Sequence, residues 1–468
     1  MSAAPDLDTS PWRLPKDHIP VYPPKPKPAK GPLPLVALIP AMRRNILPTY
    51  AADAYRMEVF VRPFLGRTSI FLNHPDGIRR VLVDNAGNYR RTPATERILG
   101  PVIGQGLFLA EGDDWSFQRR TLAPAFAPRS LDIMAQTTVA VCDETLARMR
   151  ARPTTAISLL HVAQEIALEV AGRSMFSTEM AGFRDELRGT FERYGASLAL
   201  PSFWDLLLSR RFQSPQDLAR KRFGRAWLGV IGKLVAAREA KGVHEPARDL
   251  YDLMATARDP ETGRGFTAEE LRDQFATFII AGHETTALSL FWAFYMLALA
   301  PDIQDIVANE AQASAALTAP GRDATGQLPW AHAVVQESLR LYPPAFSIVR
   351  ESIGADTLAG HDIPADTLVA IAPWVLHRHE KRWAEPDRFD PTRFLPGAPA
   401  PEKYSYLPFG VGPRVCIGKA FALIEASLVL AHILKHWRIE LVRRRAIMPT
   451  AVVTTYPQPI PSFRLRPR

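Results

Sequence analysis

A mainly α fold with small β-sheets, built as one large domain, is what this sequence predicts. Apolar residues recur with helical spacing across most of the chain, while strand-like pieces are few and short. The 468 residues are 47% hydrophobic, ample for one large core. No internal repeat and no change of composition marks a linker, apart from a proline-rich stretch near the start. Residues 1–54 are therefore read as an N-terminal extension and 55–468 as the folded domain.

The elements follow in order. The first ten residues hold two aspartates and no lysine or arginine, which is not a signal peptide. Repeated prolines over 20–34 remove backbone donors, so this stretch is expected to lie extended. The apolar piece Leu35 to Ile39 falls well short of the about 20 residues a membrane span needs, and no transmembrane anchor is expected. Residues 57–73 alternate around Gly66 and read as a hairpin, closed by His74-Pro75. A short helix is expected over Asp76 to Val83. Scattered glycine and proline make residues 92–112 read as a long irregular loop.

Asp113 and Asp114 suit a helix start. Pro128 breaks the following stretch, and an amphipathic helix is expected from about Leu131 to Met149. Further helices are expected over 155–178 and 182–197, and a basic helical region runs from Trp204 to Arg238 with a break at Pro215. The longest helical signal is 267–299. Thr267 is a good N-cap, Glu270 completes a capping box, and Pro301 stops the run. Its middle is too polar for a membrane span, so it reads as a buried central helix. A helix over 330–341, strands at 346–350 and 367–372, irregular proline-rich chain over 380–403, a last helix over 419–436 and short terminal strands complete the reading.

Charge and cysteine content narrow the function. The formal net charge is +9, which suits nucleic acid, anionic lipid or an acidic protein. No basic tract is interleaved with aromatics and no zinc-finger spacing occurs, so nucleic acid is not expected. Two cysteines exclude a disulfide scaffold and fit a reducing, cytoplasmic setting.

The chemistry centres on Cys416, in the run Phe409-Gly410-Val411-Gly412-Pro413-Arg414-Val415-Cys416-Ile417-Gly418. The other cysteine, Cys142, is far upstream, so no second thiol stands nearby for a zinc site, an iron–sulfur site or a redox pair. The economical use of one such sulfur is as the axial ligand of a haem iron. Glycines allow a turn whose N–H groups hold a thiolate, and the helix opening after Gly418 brings a positive dipole end to the sulfur. Arg414 is a fixed cation that pairs with a carboxylate, such as a haem propionate. A lone cysteine is more often simply buried and inert, but the ten-residue pattern argues against that reading.

Three other clusters bear on chemistry. Ala281-Gly282-His283-Glu284-Thr285-Thr286 interrupts the apolar central helix with polar groups. Gly282 lowers helix propensity and Thr285 can divert a backbone bond, leaving a small polar groove. The bland alternative is a polar seam between helices. Glu337 and Arg340 stand three apart on one helix face. Trp115 and Arg119 stand four apart on an earlier helix, a spacing that needs no ligand to explain it.

Order and spacing of these motifs, from about residue 55 to 460, resemble the cytochrome P-450 family of haem-thiolate monooxygenases. Phe409, Gly410, Gly412, Arg414, Cys416 and Gly418 match its haem signature. The resemblance implies the single-domain P-450 fold, haem b as cofactor, Cys416 as iron ligand and Phe409 packed near the sulfur. It implies that Ala281 and Gly282 leave room for dioxygen, that Thr285 assists there, and that Glu284 belongs to a proton route; His283 is given no catalytic role. Glu337 and Arg340 become a structural lock, with Arg388 of Pro386-Asp387-Arg388-Phe389 as third member. Trp115, Arg119, Arg350 and His377 become propionate contacts.

The resemblance further implies dioxygen reduction and hydroxylation or epoxidation of a substrate. No glycine loop of Rossmann type and no ferredoxin cysteine cluster occurs, so electrons are expected from a ferredoxin with its reductase, or a flavodoxin. The docking cations are expected among Arg119, Arg120, Arg414 and Lys419, on a monomer. The pocket is expected from residues 94–110, the helices between 190 and 230, Ala281, and Ala345 to Ile348. Phe108, Leu109, Leu198, Leu200, Phe203 and Phe346 make it apolar, fitting a fatty acid, terpenoid, steroid or carotenoid. A peroxygenase or isomerase on the same fold, and a haem sensor without turnover, are the alternatives.

Overall fold

The computed structural model describes residues 12–151, 156–177, 180, 182, 189–190, 194–208, 212–244, 247–443 and 445–468. It is mainly helical with small sheets. The proline-rich start lies extended along the body: Val21 bridges to Phe389, and the carbonyl of Pro24 accepts from the Tyr342 hydroxyl at 2.6 Å. The apolar piece after it opens a helix, α1 (Leu35–Arg44), with Pro40 inside.

The expected hairpin is β1 (Val59–Phe64) and β2 (Arg67–Leu72), turned at Gly66. It is followed by α2 (Pro75–Arg79) and by β3 (Tyr89–Arg90). The irregular loop expected over 92–112 is corrected: its first half is a helix, α3 (Pro93–Ile103). Thr92 caps it by accepting from Thr95 N–H, and Pro93 sits where no N–H is needed. The proline that suggested a loop is thus a helix starter. The segment after α3 is irregular but pinned to the central helix: Gln105 N–H donates to Asp273 at 2.8 Å and Leu107 N–H to Gln274 at 3.0 Å.

Next come α4 (Gly112–Leu122), α5 (Pro128–Ala151) and α6 (Leu159–Phe176). The helix expected over 182–197 falls mostly outside the described residues; its end, Tyr194–Leu198, is a π-turn. The basic region divides at the expected proline into a short helix at Phe203–Leu207 and α7 (Pro215–Glu239). A short helix, α8 (Leu250–Thr256), has no counterpart in the sequence reading.

The central helix α9 (Ala268–Leu299) is 32 residues long, with both halves of the Thr267–Glu270 capping box formed. Its neighbour α6 packs along it, and α5 packs on α12 (Lys419–His436). Between them lie α10 (Pro301–Ala313), which Pro301 starts after ending α9, and α11 (Pro329–Leu341). Two apolar cores flank α9: one among α5, α6, α11 and α12, the other among α3, α4, α7 and α8.

The largest sheet is built by β4 (Ile348–Ser352) and β7 (Leu368–Ile371) joining the first three strands, in the order β1-β2-β7-β4-β3. Between β4 and β7 lies the small hairpin of β5 (Asp356–Leu358) and β6 (His361–Ile363). The last strands pair as β8 (Trp437–Leu441) with β11 (Phe463–Pro467), and β9 (Met448–Ala451) with β10 (Thr455–Gln458). Among the described residues no single helix is long and apolar enough to cross a membrane.

Candidate haem site

The cysteine run folds back on itself before α12. Cys416 N–H donates to the Phe409 carbonyl at 2.9 Å, and Val415 N–H to Gly412 at 3.0 Å. Gly410 and Gly412 take φ of +69° and +76°, and a Cβ on Gly412 would meet the Leu82 carbonyl at 2.0 Å. Both therefore have to be glycine for the turn to close. Cys416 keeps accessible surface although protein surrounds it densely, which is how a side chain lining an internal hollow behaves. Burial pushes its thiol up, while the Gly418 N–H, Arg119 and Lys419 pull it down. A cationic, electron-poor partner on the hollow side would complete what those three groups begin.

Above this loop the arginines gather. Arg414 donates to the Ala110 carbonyl at 2.9 Å and to Glu111, and its guanidinium lies 4.7 Å from the Trp115 ring centre. Arg91, at the exit of β3, donates to Glu111 at 3.2 Å and stacks 4.7 Å from the Phe108 ring. Arg350 comes from β4 and donates to the Val349 carbonyl at 2.9 Å. All three are held down at about 10, first by burial and then by one another: Arg91 by Arg350, Arg350 by Arg414, and Arg414 by Arg91. Arg119, half-buried on α4, senses the Cys416 sulfur. This many buried cations with so little negative charge form a seat for an anionic group.

Sequence reasoning named Arg350 and Arg414 but missed Arg91 and Glu111. Only the contacts across β3, α4 and the cysteine loop reveal them. Glu111 has a linear signal only in standing four residues before Trp115, and Arg91 has none.

Across the hollow, α9 presents Ala281 with accessible surface although its neighbours along the helix are largely buried. Thr285 donates its hydroxyl to the Ala281 carbonyl at 2.5 Å, one turn back, and the helix continues unbroken. Glu284 turns elsewhere and accepts from the Thr454 hydroxyl at 3.1 Å; burial holds its carboxyl up. The two groups thus lie on different faces, as adjacent helical residues must. Thr454, in the turn before β10, gave no signal in the sequence. His283 is buried, with its ring lowered to about 4 by desolvation.

The lock behind the cysteine loop is fully buried. Arg340 meets Glu337 in a two-point pair at 2.7 Å each and donates to the carbonyls of His377, Pro386 and Arg388 at 2.9, 2.6 and 2.9 Å. The expected third member is corrected here. Arg388 contributes its carbonyl, and its side chain pairs with Glu385 at 2.8 Å. The arginine facing Glu337 is Arg393, at 3.7 Å. Two Pro-x-Arg-Phe segments lie five residues apart, and the second, Pro391-Thr392-Arg393-Phe394, is the one that reaches the pair.

The expected propionate contact at His377 is corrected as well. Its Nε2 accepts from Leu407 N–H at 2.8 Å and its Nδ1 lies 3.3 Å from the Arg340 carbonyl. The ring therefore bolts the Glu337–Arg340 lock to Leu407, whose carbonyl accepts from Gly410 N–H at 3.2 Å.

The pocket expectations divide. Phe108 and Ala345 present surface, Ile348, Leu198 and Leu200 are half-buried, and Phe203 is exposed. Leu109 and Phe346 are buried, each packed in one of the apolar cores. Arg120 is corrected too, since it is bound to Asp259 at 2.9 Å and Glu261 at 3.2 Å.

A single thiolate candidate at a glycine turn, a cationic seat for carboxylates beside it and a small-residue gap opposite fit a haem. This defines the class of haem-thiolate proteins. The comparisons carry the particular assignment. The family model described as Cytochrome P450 matches residues 22–461, and the chain belongs to that family. It is 31% identical over 453 residues to cyclooctatin synthase of Streptomyces melanosporofaciens, covering 94% of this chain and 92% of that one. It is 29% identical over 421 residues to cyclooctat-9-en-7-ol 5-monooxygenase of the same organism, covering 88% and 89%. A crystal structure of the cytochrome P450DA heme domain shares the fold at a TM-score of 0.76 and 23% identity, over 88% of this chain and 90% of that one. The protein is accordingly a haem b monooxygenase that incorporates oxygen from dioxygen, depends on a redox partner and acts on a small organic substrate.

Proposed function

We propose that Cys416 would hold the haem iron through its thiolate and that the enzyme hydroxylates or epoxidises an apolar substrate of the fatty acid, terpenoid, steroid or carotenoid type. Electrons come from a ferredoxin with its reductase, or from a flavodoxin. The observation that carries this reading is Cys416 itself, at a hollow that Arg91, Arg350 and Arg414 border with surplus positive charge.

Bound haem supplies the oxygen chemistry. The chain supplies the rest. Arg414, Arg350 and Arg91 would hold the propionates, with Trp115 stacked against Arg414. Arg119 balances the sulfur's negative charge. The Gly410–Gly412 turn aims Cys416, and the lock from Glu337 through Arg340, His377 and Leu407 fixes that turn. On the opposite side Ala281 and Gly282 would leave space, and the Thr285 hydroxyl, now donating to the Ala281 carbonyl, would be the hydrogen-bond donor nearest that space. Glu284, whose carboxyl burial pushes up and which accepts from Thr454, would serve as a proton store reached by rotation of its side chain.

The substrate reading is supported by the carbon surfaces of Phe108, Ala281 and Ala345. It is also supported by a relative whose name gives it cyclooctat-9-en-7-ol as substrate. The reduced carbon monoxide complex tests the ligand: a thiolate-type Soret band is expected, lost in Cys416→Ala. An unchanged iron environment in that variant overturns the assignment. A panel of apolar ligands should shift the haem spectrum; shifts only with small polar aromatics would overturn the substrate class.

A further inference from the structure

Glu111 stands at the N-cap position of α4, yet its side chain accepts no hydrogen bond from that helix. It turns away instead and meets two of the three clustered arginines. Its carboxylate accepts from the backbone N–H of Arg91 at 3.1 Å and from the Arg91 guanidinium at 3.2 Å. It also pairs with Arg414, whose other nitrogen is fixed by the neighbouring Ala110 carbonyl. The field of the same carboxylate reaches Arg350. One residue therefore ties together the exit of β3, the start of α4 and the cysteine loop, at the point where β4 delivers the third arginine.

Arg91, Arg350 and Arg414 repel one another and are each disfavoured by burial. Glu111 acts on all three guanidinium groups and Glu96 on Arg91 as well, and the positive charge that remains faces the two propionates haem b brings. Without Glu111 the seat would carry one more uncompensated positive charge, and the carboxylate that joins Arg91 to Arg414 would be lost.

We propose that Glu111 is a positioning residue for the haem, aiming Arg91 and Arg414 at the propionates and lowering the positive charge of the seat they enter. This rests on the haem-thiolate reading above. Removing the anchor releases both arginines, whereas removing only its charge keeps an acceptor oxygen in place but leaves the seat over-positive. The two effects separate experimentally.

In Glu111→Ala, transfer of ferric haem from the holoprotein to an apo-globin acceptor should be about tenfold faster, the scale seen when outer partners of a metal site are lost. Glu111→Asp should recover part of that retention. In Glu111→Gln, retention should stay within about twofold, since an acceptor oxygen remains. Its ferric/ferrous midpoint potential should rise, because an anion that disfavours the more negative reduced state is gone. A purely structural N-terminal residue would lower the melting temperature of all variants and leave the potential of Glu111→Gln unmoved. Haem retention in Glu111→Ala equal to the parent's, or an unchanged potential in Glu111→Gln, overturns the proposal. In either case a thiolate-type carbon monoxide spectrum in the same variants shows that the haem-thiolate reading stands, and its absence from the parent shows that the reading itself has failed.

Discussion

At the scale of single residues, the proposed chemistry separates groups that would meet oxygen from groups that hold the frame. Thr285 belongs to the first. Its hydroxyl is bonded within its own helix, one turn back, so it can be offered to a ligand without unmaking the helix. Thr285→Ala should lower product formed per electron consumed by at least about tenfold, with substrate affinity unchanged. Stoichiometry of reductant, peroxide and product measures this, and normal coupling would remove the proton role.

His377 belongs to the frame. Its ring accepts a backbone N–H, and burial with Arg340 and Arg378 nearby lowers it to about 3 from 6.5. Between those limits the unfolded chain binds a proton that the folded ring refuses, so this residue withdraws stability as pH falls. His377→Gln should be less stable than the parent at pH 8, with the gap narrowing toward pH 5. Denaturant midpoints across that range give the answer, and a constant gap refutes it. Nothing in the sequence separates a histidine on a propionate from one accepting Leu407 N–H, because both need a conserved shape of chain around them rather than a motif. Cys416 was legible for the opposite reason: its glycines, arginine and sulfur are consecutive.

At the scale of elements, legibility followed local rules. The central helix announced itself through Thr267, Glu270 and Pro301, each acting within a turn of its own position. The last helix was bounded by Gly418 and the strand after His436. By contrast α3 was hidden, because Pro93 and Pro101 read as breakers while one starts the helix and the other is tolerated inside it. The third arginine was hidden by repetition, two Pro-x-Arg-Phe segments being equivalent until α11 selects one. That selection has an energetic meaning. Glu337 and Arg340 are fully buried and hold the carbonyls that lead toward the cysteine turn. Glu337→Ala leaves Arg340 and Arg393 facing each other without their carboxylate, which should cost about 3–5 kcal/mol. Unfolding midpoints should fall and the haem-to-protein ratio of the purified variant should drop with them. A variant of parental stability would mean that the backbone carbonyls alone satisfy Arg340.

At the scale of the molecule, the sheet and the two cores bring β3, β4, α4, α9 and the cysteine loop to one hollow, while the formal charge of +9 suits an acidic electron donor. The basic docking patch expected on the cysteine side is smaller than the sequence suggests. Arg120 is consumed by Asp259 and Glu261, Arg414 by Glu111, and Arg119 is half-buried beside Cys416. Lys419, exposed at the first turn of α12 and close enough to lower the Cys416 thiol, remains outward. A cation at a helix N-terminus is disfavoured by the helix dipole, so its presence there is better explained by an acidic partner than by stability. Electron delivery from a ferredoxin should therefore slow as ionic strength rises, since exposed pairs are screened within about 8–10 Å. Lys419→Glu should slow delivery roughly tenfold at low salt and flatten the salt dependence. The substrate-induced spectral shift should be untouched. Stopped-flow reduction under carbon monoxide reports the step directly. Rates indifferent to salt in the parent would place the electron path away from this face, and the same rate in Lys419→Glu would remove Lys419 from it.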